Sequence, residues 1–242
     1  MKSDVNESEG CLRGFCAVYH LGTVDYTTAY SLQQNLQEAR IDGLIDDTIL
    51  LLDHNPVITL GKSGNKNNVL VSQEYLKTQQ GIDVLRTDRG GDVTFHNIGQ
   101  IVAYFIVNIE DLGISVYQYV RSLEEIVIKT LEDFGITGDR DAQHPGVWVG
   151  NKKICAIGLN VTRGVSMHGF ALNANNDLSI TSYINPCGLH DRGVTSLREC
   201  LSQAVDMKTV VTSLLHKMDL ILDVDIAFHE AGAQDPDFLK VF

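Results

Sequence analysis

The chain has four prolines in 242 residues, a single tryptophan, and no Pro-rich or low-complexity tract, so nothing in it reads as a linker. No internal repeat is visible, which removes solenoid and array architectures. No apolar run approaches the roughly 20 residues that a membrane-spanning helix needs. Cations are scarce: 19 Lys and Arg against 31 Asp and Glu give a net charge of −12. That is the opposite of the surplus on which non-specific nucleic-acid binding relies. The five cysteines, Cys11, Cys16, Cys155, Cys187 and Cys200, form no Cys-x-x-Cys pair and have no His at zinc-finger spacing. They read as free thiols of a reducing compartment. The opening "MKSDVNESEG" has neither the basic-then-apolar order of a secretory signal nor the Arg-rich character of a transit peptide. The expectation is a soluble, cytoplasmic protein with a disordered tail over residues 1–12 and one domain over 13–242.

With 44% hydrophobic residues the chain can bury a substantial core. "GFCAVYHLG" reads as a first strand, followed by a helix over "DYTTAYSLQQNLQEARI" with Asp25 as N-cap. "DTILLLDH" is a continuous apolar run, as in a sheet covered on both faces, and "VITLG" is expected beside it after a turn at Pro56. "SQEYLKTQQG" suggests a short helix closed by Gly81, then "IDVLRT", "DVTFH" and "QIVAYFIVNI" read as strands. "SVYQYVRSLEEIVIKTLEDFG" has helical spacing and ends at Gly135. Two hairpins follow, turning at Gly150-Asn151 and Arg163-Gly164, and a last amphipathic helix covers about residues 206–222. Strands and helices mix without regular βαβ alternation. The expected class is α+β, a mixed, largely antiparallel sheet flanked by helices.

Four stretches are too polar or too glycine-rich for packing alone to explain. In "RTDRGGDVTFH", the Gly90-Gly91 pair lets backbone approach a ligand, Arg89 can hold an anionic or carbonyl group, and His96 can donate a hydrogen bond. In "NKKICAIGLNV", strict alternation puts Lys153 on one face with Cys155, Ile157 and Leu159, and Ile154, Ala156 and Gly158 on the other. The small pair Ala156 and Gly158 leaves room for an acyl chain or for an adjacent helix. In "MHGFALNANNDL", His168 is either a satisfied core residue or a catalyst, and Asn173, Asn175 and Asp177 are placed to bond backbone across a cleft. The fourth stretch, "NPCGLHDRGVTSL", presents Cys187 between Pro186 and Gly188. A free thiol has a pKa of about 8.5 and needs a cation or base to ionise at neutral pH. His168, His190, His96, Arg192 and Lys153 are all candidates, and the residues alone leave the choice open.

Taken in order, "HNPVITLGK", "RGGDVTFHNIGQIVAY", "KICAIGLNV", "HGFALNANNDL" and "NPCGLHDRGVTSL" resemble the lipoyl(octanoyl) transferase family over residues 13 to about 200. The resemblance implies the fold of lipoate-protein ligases and of the biotin ligase catalytic domain. It implies a Cys-Lys dyad of Cys187 and Lys153, and acyl-binding residues at Arg89, Gly90, Gly91, Asp92, Val93, Thr94, Phe95 and His96, at Ala156, Ile157 and Gly158, and at His168, Gly169 and Phe170. The activity it implies is octanoyl transfer from octanoyl-acyl-carrier protein to a lysine of lipoyl domains in 2-oxoacid dehydrogenase complexes and of the glycine cleavage H protein. Thioester to thioester and then to amide is downhill, so no cofactor, metal or ATP is expected. The charge and the lack of long apolar runs argue against a nucleic-acid or membrane partner, and a monomer is expected. Two departures from the family pattern stand out. Ile98 replaces a loop proline, which bears on acyl-chain preference, and Phe105 replaces a proline after the strand's tyrosine, which is expected to be silent. A local basic rim is expected from Arg89, Lys62, Lys66, Arg163 and Arg192. The rival readings are an ATP-dependent lipoate-protein ligase, an octanoyl amidotransferase between carrier domains, and a catalytically silent acyl-binding module.

Overall fold

The computed structural model describes residues 13–185 and 192–231; Cys187, with Pro186, Gly188 and His190, lies outside the described residues, as does the tail 1–12. In chain order, β1 (Gly14–Val24), α1 (Tyr26–Ile41) and β2 (Asp47–His54) come first, then β3 (Val57–Leu60), α2 (Gln73–Gln80), β4 (Asp83–Arg86), β5 (Val93–His96) and β6 (Gln100–Ile106). After them come α3 (Val116–Asp133), β7 (Asp139–Arg140), β8 (Gly146–Val149), β9 (Lys152–Thr162) and β10 (Val165–Asn173). The described chain closes with β11 (Gly193–Val194), α4 (Leu197–Leu201), α5 (Met207–Leu222) and β12 (Val224–Glu230).

The main sheet runs β12-β1-β2-β6-β10-β9-β8-β7, with β11 added to β9. The β12-β1-β2 part is parallel and the succession β2-β6-β10-β9-β8-β7 is antiparallel, so the sheet is mixed as expected. Helix α1 covers one face, where Ala29 and Leu36 pack on Leu50, Leu52, Val102 and Tyr104. Helices α3 and α5 cover the other, where Leu123, Val127, Val210 and Leu214 pack on Ile49, Leu51 and Phe105. Burial on both faces explains why β2 and β6 are almost uninterrupted apolar runs. A three-stranded sheet, β4-β3-β5, stands beside the first and packs on Leu76 of α2. Among the described residues, no helix is long and apolar enough to cross a membrane.

The local signals act as the sequence predicts. Asp25 caps α1 by accepting from the Thr27 and Thr28 amides at 2.9 and 3.2 Å. Gly81 closes α2 in the left-handed conformation at φ +68°. The β9–β10 hairpin turns with both Arg163 and Gly164 at positive φ, the two-residue geometry that matches the twist of its strands.

Two expectations are corrected. β3 is not the neighbour of β2: it pairs with β4 and β5 in the second sheet, because both sides of β2 are taken by β1 and β6. Strict alternation also fails in β9. Val147 pairs with Cys155 but Trp148 pairs with Lys153, which makes Ile154 the extra residue of a bulge. Ile154 and Cys155 both enter the core, and Lys153 joins Ala156 and Gly158 along a cavity instead of sharing the Cys155 face.

Candidate active site

A cavity of about 580 Å³ opens between the two sheets and the N-terminal half of α3, within the size range of small-ligand pockets. Its walls are Arg89 through Phe95 on one side, and Ala156, Ile157, Gly158 and Lys153 on the other. Ala171, Ile184 and Val120 add apolar surface. A smaller cavity of about 30 Å³, room for one water, adjoins it and takes His96, His168, Gly169 and Phe170. The two share Arg89, Thr94, Phe-neighbouring Ala171 and the Ala156–Gly158 segment, so the predicted acyl-binding residues fall around one continuous region.

The Arg-Gly-Gly loop is held from three sides. Gly90 donates its amide to the Leu159 carbonyl at 2.8 Å, and Gly158 lies so close that a Cβ there would stand 2.7 Å from the Gly90 carbonyl oxygen. Gly61 and Lys62 donate to the carbonyls of Asp92 and Arg89. Arg89 is buried, and its guanidinium donates to Thr59 O, Thr59 Oγ1 and Asp92 O at 2.9 Å and to Gly90 O at 3.0 Å. It therefore shapes the loop with its charge committed to the protein's own carbonyls, and it is no part of an exposed basic rim. Lys62, Lys66 and Arg163 are exposed.

Below the loop, Asp88 accepts from His168 Nε2 at 2.8 Å and from Asn160 Nδ2. The His168 bond, above all, lowers the Asp88 carboxyl to about 2. His168 itself sits at φ +63°, a strained value for a non-glycine residue inside a strand. Its amide donates to Gln33 Oε1 at 3.0 Å, so α1 holds the kinked backbone in place. Burial lowers the pKa of His168 against the opposing pull of Asp88.

His96 donates a hydrogen bond, and its partner is a side chain of the protein. Its Nδ1 lies 2.8 Å from Gln100 Oε1, and Gln100 Nε2 donates to Phe95 O and Asn173 Oδ1, which fixes the amide's orientation. The proton is therefore on Nδ1 and is given to Gln100. Burial lowers this imidazole well below its ordinary pKa, so His96 is neutral, with its donor at Nδ1 committed to Gln100 and an acceptor left at Nε2.

Lys153 lies half-buried at the other end of the cavity. Its Nζ donates to Pro145 O at 3.4 Å and stands 4.8 Å from the centre of the Trp148 ring. Arg192 covers the same ring at 4.7 Å and is held by Asp141 at 2.5 Å. Asn173 and Asn175 bond backbone as expected, at Thr195 O and Val205 O, whereas the Asp177 carboxylate caps its own turn at Ser179. Sequence reasoning missed Trp148, Asp141, Asp88 and Gln100. Trp148 had a signal, being the single tryptophan in a short apolar strand before two lysines; the carboxylates had none, because their partners are distant in sequence.

Comparison with known proteins adds a family to this geometry. An octanoyltransferase of Desulforamulus reducens is 43% identical over 209 residues, 86% of this chain and 91% of that protein. One of Alkaliphilus metalliredigens is 45% identical, covering 86% and 96%. Among solved structures, lipoate-protein ligase A bound with ATP superposes with a TM-score of 0.70 at 16% identity, over 95% of this chain and 93% of that one. Biotin protein ligase of Aquifex aeolicus with biotin and ATP gives 0.54 at 16% identity, over 86% and 70%. These two show a shared fold, the one the motifs implied. The description "Lipoyl protein ligase A/B catalytic domain" matches residues 25–219, and with the cavity, its lysine and these relatives the conclusion is direct: the chain belongs to the lipoyl protein ligase A/B catalytic domain family.

Proposed function

We propose that residues 13–242 form one octanoyltransferase that moves an octanoyl group from octanoyl-acyl-carrier protein to the target lysine of a lipoyl domain, through a thioester on Cys187 with Lys153 as its proton partner. The observation that carries the reading is the apolar cavity that runs from the glycine-rich loop to the Lys153 ammonium. Burial is worth about 0.8 kcal/mol per CH₂, so an eight-carbon chain laid along it contributes on the order of 5 kcal/mol. Relatives named octanoyltransferase, 43 and 45% identical over most of the chain, support the choice of acyl group. The acceptors are the lipoyl domains of 2-oxoacid dehydrogenase complexes and the glycine cleavage H protein. The enzyme acts as a cytoplasmic monomer.

In the first half-reaction, the Cys187 thiolate attacks the donor thioester carbonyl. The carbon–sulfur bond to the carrier's thiol breaks, and Lys153 gives that thiol its proton. In the second, the acceptor amine attacks the Cys187 thioester, neutral Lys153 takes the amine's proton, and the thiolate leaves as the amide forms. Atoms balance without ATP. Chain connectivity supports the pairing: Cys187 follows Asn185 by two residues, Ile184 and Val194 line the cavity, and Arg192 shares the Trp148 ring with Lys153.

Mass spectrometry after incubation with octanoyl carrier protein tests this directly. An octanoyl adduct is expected on Cys187 without ATP, and it disappears in Cys187→Ala. Transfer at a normal rate by Cys187→Ala, or strict dependence on ATP, would overturn the reading. Lys153→Ala is expected to slow adduct formation far more than Lys152→Ala, whose side chain is exposed.

A further inference from the structure

Glu124 is a carboxylate with no exposed surface, placed on α3 against the strand that faces Lys153. Its Oε2 receives Arg121 at 2.7 Å and Arg140 at 3.2 Å. Its Oε1 accepts the Gly146 amide at 3.0 Å. That amide belongs to the same trans peptide as the Pro145 carbonyl, and the Pro145 carbonyl is the one that receives Lys153 Nζ. In a trans peptide the N–H and C=O point in opposite directions. Glu124 on one side and Lys153 on the other therefore read the two ends of a single rigid plane.

Two further observations make this plane a device for positioning. Gly146 has φ +131°, a value L side chains rarely adopt, and a Cβ there would lie 2.5 Å from Cys155 O and 3.5 Å from Lys153 Cε. A glycine next to a proline carbonyl does not by itself fix which way the peptide faces; an acceptor behind it does. A charged acceptor bonds roughly twice as strongly as a neutral one. The neighbouring contacts belong to the same loop: Asp141 receives the amides of Gln143 and His144, and Trp148 Nε1 donates to His144 O.

We propose that Glu124 is a positioning residue for Lys153: by accepting the Gly146 N–H it turns the Pro145 carbonyl toward the ammonium and holds that ammonium at the cavity. The inference rests on the Cys187–Lys153 reading above. Among the described residues, the charged and titratable groups around the pair include Arg121 and Arg140 on Glu124, Arg192 with Asp141 across Trp148, His144 of the same loop, and the Cys155 thiol, whose pKa burial pushes up. Among the described residues, Lys153 is the proposed reacting group that the plane contacts, so the influence to be tested is the one that passes through the lysine.

The test is a double-mutant cycle read as the rate of Cys187 alkylation by iodoacetamide across pH, followed on the Cys187 peptide by mass spectrometry. Lys153→Ala is expected to slow alkylation at neutral pH and move its pH dependence upward. Glu124→Ala is expected to do the same, by about tenfold, and to add less than about twofold in the Lys153→Ala background. Equal factors in both backgrounds, or an unmoved pH profile in Glu124→Ala, would mean that Glu124 only staples α3 to β8. An effect of Glu124→Ala with none from Lys153→Ala would sink the dyad itself, so the two failures are distinguishable. Should Glu124→Ala not fold, Glu124→Gln runs the same cycle. Its single amide oxygen must serve either Gly146 or the arginines, and a loss of about threefold, again vanishing in Lys153→Ala, is expected.

Discussion

Gly158 and Asp88 carry consequences that can be measured one side chain at a time. With the Gly90 carbonyl oxygen 2.7 Å from where a Cβ would stand, Gly158→Ala must push the glycine-rich loop off β9. Overpacking of this kind costs about 1–3 kcal/mol, to be read as a lower urea midpoint, together with a raised KM for octanoyl donor. An unchanged midpoint and KM would show that the loop yields freely. Asp88 has its pKa lowered to about 2, chiefly by the hydrogen bond from His168, against 3.8 when unperturbed. Its ionised form therefore adds stability that is present above pH 3.8 and lost as pH falls through about 2. Asp88→Asn should flatten the stability profile over that window while lowering stability at neutral pH; parallel profiles would contradict the assignment.

At the scale of elements, helices and hairpins were legible and strand partnership was not. Asp25, Gly81 and the Arg163-Gly164 turn act on their own neighbours, so local chemistry sufficed. The sheet to which β3 belongs is not legible because its short apolar run suits either, and α4, at five residues, carries too few for a clear period. The bulge at Ile154 depends on the spacing of β8 opposite it, which no pattern within β9 encodes. Phe105 shows the difference between chemistry and packing. Expected to be silent, it is fully buried on β6, with its ring 5.5 Å from Phe170, and a Cβ on Gly169 would stand 2.6 Å from it. Phe105→Ala is predicted to cost about 3–5 kcal/mol in a denaturant titration. A loss under about 1 kcal/mol would mean that the site collapses around the gap.

For the whole molecule, three histidines from three strands, His54, His96 and His168, are buried in one aromatic cluster with Tyr26, Tyr30 and Tyr104. Burial lowers the pKa of all three below 6.5. The unfolded chain then binds more protons than the folded one, so this contribution to stability is present above pH 6.5 and is lost as pH falls through the folded values. Unfolding at a pH just below 6.5 should take up protons, which calorimetry in buffers of different ionisation enthalpy measures; no uptake would refute the neutral cluster.

Residue order alone determined the α+β class, most helix and hairpin boundaries, and the family motifs, because caps, turns and periodicity act over a few residues. It also singled out Lys153 and the loop from Arg89 to His96. Only the tertiary structure decided which face Lys153 takes, that Arg89 is committed to backbone carbonyls, that His96 is an acceptor at Nε2, and that Glu124 stands behind the Lys153 peptide. Each of these depends on a partner distant in sequence, and burial and hydrogen-bond competition settle which partner is reached.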